Sequence, residues 1–444
     1  ALEIEFGVLD SPDQKRRSLF YFRESLPYHE MPPEVAAQYS DAHGQIPDAV
    51  QRLQALKDRI RQDPSLTGRV YDYRTQWDGK RVTDLEDWGK HVLEHLWREL
   101  DEETQPFLRK TPPTWQEQER WAIEQFVELC GRSFIGRDEI SHELCALAQL
   151  PVGENVAWAA CVTGEPGAGK SALFAHLYRA LEERENVLLL AHAAGISPRS
   201  TQVDAMLRRW VGELAASLGQ NDKLLETASN EEVDQVFMNQ LSQVAANRRV
   251  IIVIDALDQF ESTTRGRYLT WLPSAWPDNA RLIATAIPGS QSMTLRSRGR
   301  AVEFPLPALT DNDVRGIASA VCKRYHRELN PDVLWELLRK KRSDGQNSSG
   351  NPLWLELALE ELHLLDADDF ERAQRQYQGE ADECLRQMMC DVAAKLPGEA
   401  ELLYGEMLER SEMLCGAGWA RGFAGLVAIS RHGVREGAFE QLMP

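Results

Sequence analysis

The chain has 444 residues, 43% of them hydrophobic, and its 50 Lys and Arg stand against 69 Asp and Glu, a formal net charge of −19. At roughly 100–200 residues per domain this length holds two to four domains, each with enough apolar residues for a core. The acidic balance repels phosphodiester backbones and anionic headgroups within about 8 Å, which disfavours broad nucleic-acid and membrane binding, and the longest apolar run, Val156–Val162, is far below the roughly 20 residues of a membrane helix.

The seven cysteines form no CxxC pair and no zinc-spaced Cys/His cluster, so reduced thiols and a cytoplasmic location are expected. Ala1 to Leu9 carries no basic n-region or cleavage site, and no signal peptide is expected. After a short alternating stretch, the aromatic run from Leu19 to Arg23 predicts a strand, and Val70–Tyr73 a second one. Between them Val50, Leu53, Leu56 and Ile60 fall at helical spacing in Pro47–Arg61. Thr83 to Glu86 supplies an N-cap for a helix through Leu100, with Leu85, Trp88, Val92, Leu93, Leu96 and Trp97 expected on one face. Residues 1–110 therefore read as a partial α/β domain, and residues 111–132 as a linker helix centred on Trp115–Cys130.

From there strands and helices alternate: strand Val156–Thr163, helix Lys170–Glu183, strand Val187–Ala193, helix Thr201–Leu218, and strands Val250–Asp255 and Arg281–Ile287. This predicts an α/β core over 133–304, a largely parallel sheet with helices on both faces. After Pro305 the strand signals fade, and Asn312–Tyr325, Pro331–Arg342, Asn351–Leu364 and Asp368–Leu396 read as helices of an α-helical domain over 305–396, with a further domain starting at 397.

Gly164-Glu165-Pro166-Gly167-Ala168-Gly169-Lys170-Ser171 matches GxxxxGK[ST] between a predicted strand and a predicted helix, the context that identifies a phosphate-binding loop. The glycines permit a tight turn that aims backbone N–H groups, through Ala172 and the helix N-terminus, at phosphate oxygens. Lys170 is placed to reach the β- and γ-phosphates, and the Ser171 hydroxyl to ligate Mg²⁺. Val250 to Ile254 is a β-branched run followed by Asp255, at the end of a strand where α/β sheets hold ligands. Asp255 is a second Mg²⁺ candidate. Asp258 either orients and deprotonates an attacking water or caps the following turn.

Together with Phe134-Ile135-Gly136-Arg137 upstream of the loop, these motifs resemble the STAND-class NTPases of the NACHT kind, a branch of the AAA+ ATPases. The resemblance implies that Ile135, Gly136 and Arg137 pack on the adenine and ribose of ATP or ADP. It also implies that Pro352, in Gly350-Asn351-Pro352-Leu353, approaches the base from a helical lid; alone that segment is a helix start with Pro. Phe423–Met443 resembles the opening of the family's winged helix, and residues 1–100, through Glu3–Leu9 and Phe20–Arg23, the C-terminal part of a TIR-like domain. Such a protein is an ATP-binding switch that forms a homo-oligomer when active. A protein trigger acts through a C-terminal sensor absent from this sequence, in innate immunity or antiphage defence.

Two departures bear on rate. Gln259 stands where many members have Glu, and Thr285-Ala286-Ile287-Pro288 lacks the Arg that senses the γ-phosphate, so slow hydrolysis is expected. His432, the nearest candidate for the winged-helix His, does not match in its surroundings. Arg208-Arg209 beside Trp210, and Lys340-Lys341-Arg342, read as solvated helix faces. The alternative to the switch is a scaffold or ribonucleoprotein component whose NTPase core binds nucleotide structurally.

Overall fold

In the computed structural model, residues 4–40, 48–108, 112–132, 134–150, 156–220, 227–364 and 367–430 are described. The chain divides into two units, 1–112 and 113–444.

The first unit holds helices α1 (Pro12–Arg17), α2 (Pro33–Tyr39), α3 (Ala49–Gln62) and α4 (Glu86–Leu108) and two small sheets. Strand β1 (Phe20–Arg23) pairs in parallel with β2 (Val70–Tyr73), and β3 (Gln76–Trp77) pairs antiparallel with β4 (Val82–Thr83). Leu9, Phe20, Leu56, Ile60 and Leu66 form a core, so the two expected strands do meet and α3 packs through an i, i+4 pair. The alternating stretch at the start is a π-helical turn over Glu5–Leu9. One expectation fails here. On α4, Trp88 and Val92 are half-buried while Leu93, Leu96 and Trp97 are 65%, 55% and 67% exposed. At 100° per residue the six apolar positions assigned to one face span about half the helix circumference, more than one contact covers.

The second unit begins with α5 (Trp115–Cys130), whose Thr114–Glu117 capping box satisfies its first amides and whose buried Glu119 accepts two contacts from Ser197 Oγ at 2.7 and 2.8 Å. Helix α6 (Asp138–Gln149) follows, then β5 (Ala159–Thr163), α7 (Lys170–Glu182), β6 (Val187–Ala193), α8 (Val203–Ser217), α9 (Asn230–Asn247), β7 (Arg249–Asp255), α10 (Thr264–Tyr268), β8 (Ala280–Ala286), α11 (Ser290–Ser297) and β9 (Ala301–Pro305). The five strands β5 to β9 form one parallel sheet in the order β6-β7-β8-β5-β9. Strand β7 shows why both faces are covered. Val250, Ile252 and Ile254 enter one core with Trp210, Phe237 and Trp271, while Ile251 and Val253 enter the other with Leu173, Phe174 and Leu177. All five are fully buried, each stabilising the fold by about 1.5–3 kcal/mol relative to exposure.

Strand β9 and helix α9 were not foreseen. Strand β9 is an edge strand carrying Glu303 and ending in Pro305, and an edge is one of the few places in a sheet that tolerate Pro. Arg209 and Trp210 are buried in α8 rather than solvated: Arg209 donates to Glu213 at 2.7 Å and to the Ala191 carbonyl, so its charge is met inside the fold.

The described residues after Pro305 are mainly helical: α12 (Asp311–Arg324), α13 (Pro331–Arg339), α14 (Pro352–His363), α15 (Ala367–Gln376), α16 (Ala381–Lys395), α17 (Ala400–Cys415) and α18 (Ala417–Ile429). The single helix expected over 368–396 breaks at Gly379, which takes φ +138°. Val314, Val321, Val333, Leu337, Trp354, Leu359 and Leu403 share one core, so α17 packs with the lid helices. Most of Phe423–Met443, and His432, lie outside the described residues.

Candidate functional site

The site lies at the C-terminal ends of β5, β7 and β8, where the connections from the neighbouring strands β5 and β8 leave in opposite directions, to β6 and to β9. Gly167 and Gly169 adopt φ +75° and +90°, which lets the loop turn back into the N-terminus of α7. At the loop's start, Thr163 O accepts from Leu306 N at 2.7 Å and ties the lid connector to β5.

Lys170, Ser171, Asp255 and Asp258 come together here. Lys170 Nζ donates to the Gly164 and Glu165 carbonyls at 2.8 and 2.9 Å. Ser171 Oγ donates to Asp255 Oδ2 at 2.7 Å, and Thr285 Oγ1 to Asp255 Oδ1 at 2.5 Å. Thr285 in turn accepts the Ala256 amide at 2.9 Å. Burial pushes the Asp255 carboxyl up from its ordinary value despite these donors and Lys170, and burial likewise pulls the Lys170 ammonium down. Asp258 Oδ1 accepts from Ile287 N at 2.8 Å and its Oδ2 from Gln259 Nε2 at 3.3 Å, which ties it to the end of β8. Thus the position lacking the expected Arg supplies a backbone amide instead.

The lid grips the other flank of the loop. Asn351 Nδ2 donates to Pro166 O at 3.2 Å and Leu353 N to Gly167 O at 3.3 Å, while Asn351 Oδ1 caps α14 through the amides of Leu353 and Trp354. A Cβ on Gly167 would lie 2.7 Å from Leu353 Cβ, and one on Gly169 3.5 Å from Pro352 Cγ. Pro352 therefore does stand against the phosphate loop. Arg342 pairs with Glu165 at 3.0 Å, Glu399 at 3.3 Å and Asp344 at 3.5 Å, so it is a partnered bridge rather than a solvated charge. Lys340 donates to Ala394 O at 2.6 Å, and Lys341 to Asn347.

Arg137 holds φ +63° and donates to Ala168 O at 2.9 Å and to Pro307 O, fastening its segment to both loop and lid. Gly136, at φ +78°, lies against Asp313 of α12, and Ile135 against Gly316. Sequence reading gave no site role to Thr285, Asn351, Arg342 or Asp313, although Thr285 and Asn351 sat inside quoted motifs and Arg342 in a basic run read as solvated.

Residues 133–283 match the family model described as an AAA ATPase domain. A TPR repeat-containing protein of Dictyostelium discoideum is 24% identical over 426 residues (83% of this chain, 24% of its own). The mouse telomerase protein component 1 is 22% identical over 367 residues (78% and 13%), and the human NACHT domain- and WD repeat-containing protein 1 is 25% identical over 395 residues (81% and 24%). The chain thus spans a quarter or less of these relatives' lengths. Among solved structures, a Walker-type ATPase of Pyrococcus abyssi aligns at TM-score 0.36 and 15% identity, covering 70% of this chain and 88% of that one. The RuvB branch-migration motor of Thermotoga maritima aligns at TM-score 0.32 and 15% identity, covering 70% and 95%. The chain carries a P-loop nucleotide-binding domain of the AAA ATPase type.

Proposed function

We propose that this domain is an ATP-dependent switch of the STAND class, NACHT kind, in which nucleotide between the α/β core and the helical lid sets how the lid packs on the phosphate loop. The observation that carries the reading is the lid's grip on that loop by Asn351, Leu353 and Arg342, on the same strand-to-helix turn that presents Lys170 and Ser171. A γ-phosphate shifts such an equilibrium only through contacts better made in one state than in the other. Lys170 must leave the Gly164 and Glu165 carbonyls to meet phosphate, which remakes the loop that the lid holds.

The donor set fits Mg²⁺. Ser171 and Asp255 offer hard oxygen ligands 2.7 Å apart, and a buried carboxylate hydrogen-bonded by two neutral hydroxyls gains from a cation. Bound there, Mg²⁺ supplies charge neutralisation on the β- and γ-phosphates. Ile135, Gly136, Arg137 and Pro352 flank the base side, residues 164–172 wrap the phosphates, and Asp258 positions the attacking water. With an amide in place of the sensing Arg, hydrolysis is slow.

Assembly on activation into a homo-oligomer, a TIR-like effector in residues 1–110, and a defence setting belong to the same proposal; the human relative bearing a NACHT domain by name supports its class. Turnover and particle mass with Mg²⁺ and ATP or ADP test it. We expect below about one turnover per second and a larger assembly of Asp258→Ala with ATP than with ADP. Rapid turnover with nucleotide-independent mass would refute it.

A further inference from the structure

We propose that Asp313 selects the base: its free carboxylate oxygen accepts a hydrogen bond from the exocyclic amino group of adenine. This rests on the nucleotide reading above and goes beyond it by assigning a specificity residue on the lid.

The two ends of the nucleotide are fixed by chemistry. Asp255 and Ser171 mark the metal and γ-phosphate end, so the base falls on the opposite flank of the loop, where Arg137 holds Ala168 O and Pro352 stands over Gly169. Asp313 reaches that flank. A Cβ built on Gly136 would lie 2.2 Å from Asp313 Oδ1, so the carboxylate sits on the face of Gly136 that lacks a side chain, and only glycine leaves it room. Its charge also reaches the Arg137 guanidinium, supporting its protonated form against burial.

The two oxygens of Asp313 have different duties. Oδ2 accepts from Thr310 N at 2.9 Å and Thr310 Oγ1 at 2.8 Å, while Thr310 Oγ1 accepts from Asp313 N at 3.2 Å; this capping box at the start of α12 locks the side chain. Oδ1 has no hydrogen-bond partner among the described residues. A carboxylate only accepts, and Arg137, the nearby cation, is spent on two carbonyls. The amino group at C6 of adenine donates to such an oxygen. The O6 of a 6-oxopurine presents a second acceptor and repels it, and a site built around a hydrogen bond rejects the analogue that cannot make it far better than an apolar pocket does.

Equilibrium titration of the full chain with the Mg²⁺ complexes of ATP, inosine triphosphate and N6,N6-dimethyl-ATP tests the proposal. The parent protein should bind ATP at least tenfold more tightly than either analogue. Asp313→Asn, whose amide also donates, should reduce the ATP-to-inosine triphosphate ratio at least fivefold. A role confined to capping would weaken all three nucleotides alike and leave the ratio unmoved, as Thr310→Ala should. A parent preference under threefold overturns the proposal without recourse to any variant, and so does an unchanged ratio in Asp313→Asn. Failure of the parent to bind any of the three refutes the nucleotide reading itself.

Discussion

Thr285 is the buried hydroxyl on which the acidic side of the site depends, and Thr285→Val is a near-isosteric way to remove it. The side chain is fully buried, donates to Asp255 Oδ1 at 2.5 Å and accepts the Ala256 amide at 2.9 Å. A hydrogen bond to a charged group contributes about 1.5–3 kcal/mol, and an amide left without an acceptor costs about 1–3 kcal/mol. Ala256 is half-buried, so the second cost lies at its lower end and the total comes to about 2–4 kcal/mol. Thr285→Ser keeps the hydroxyl and loses one methyl, a loss of about 1 kcal/mol. Urea unfolding of the two variants reads this difference through their midpoints. If Thr285→Val unfolds with the parent's midpoint, or if Thr285→Ser is the more damaging change, Thr285 does not support the Asp255 carboxylate.

Other outcomes follow from the same geometry. Burial raises the Asp255 pKa in the fold, so the folded state keeps that proton to higher pH than the unfolded chain. This contribution to stability is complete below the ordinary carboxylate value and is lost as pH rises through the folded value. Metal-free Asp255→Asn should therefore gain on the parent as pH rises through that window, and parallel stability curves would contradict it. The Arg342–Glu165 pair, with Glu165 65% exposed, should contribute under about 1 kcal/mol to global stability. Yet Arg342→Gln, which also gives up Glu399 and Asp344, should speed amide exchange across 340–353 and Arg342→Lys should restore part of the protection; unchanged exchange in Arg342→Gln would exclude the bridge from holding the segment. Asp258→Asn retains an acceptor for Ile287 N and should unfold like the parent, whereas Asp258→Ala should cost about 1 kcal/mol; turnover should fall in both, and full activity in either would exclude Asp258 from water positioning.

Much of the site was legible because its chemistry is local in sequence. The glycines, Lys170 and Ser171 lie within eight consecutive positions between a strand and a helix, and Asp255 ends a run whose β-branched composition belongs to a strand buried on both faces. What escaped depends on partners distant in the chain. Arg342 sits in a run of three basic residues, the usual sign of solvation, and only the fold brings Glu165 and Glu399 to it. Arg209 likewise looked like half of an exposed basic pair until Glu213 and the Ala191 carbonyl met it in the interior. Strand β9 carries too little apolar alternation to stand out, and its place is set by pairing with β5. Asp313 reads as an ordinary capping residue, and its second oxygen gains meaning only against Gly136.

The claim on which the rest stands is that the loop from Gly164 to Ser171 holds the polyphosphate of ATP. Calorimetric titration of the full chain with ATP and Mg²⁺, alongside Lys170→Ala, tests it directly. Losing the charged contacts of Lys170, each worth about 1.5–3 kcal/mol, should weaken binding at least about tenfold. Equal stoichiometric affinity in parent and Lys170→Ala, or no binding by the parent, would contradict it.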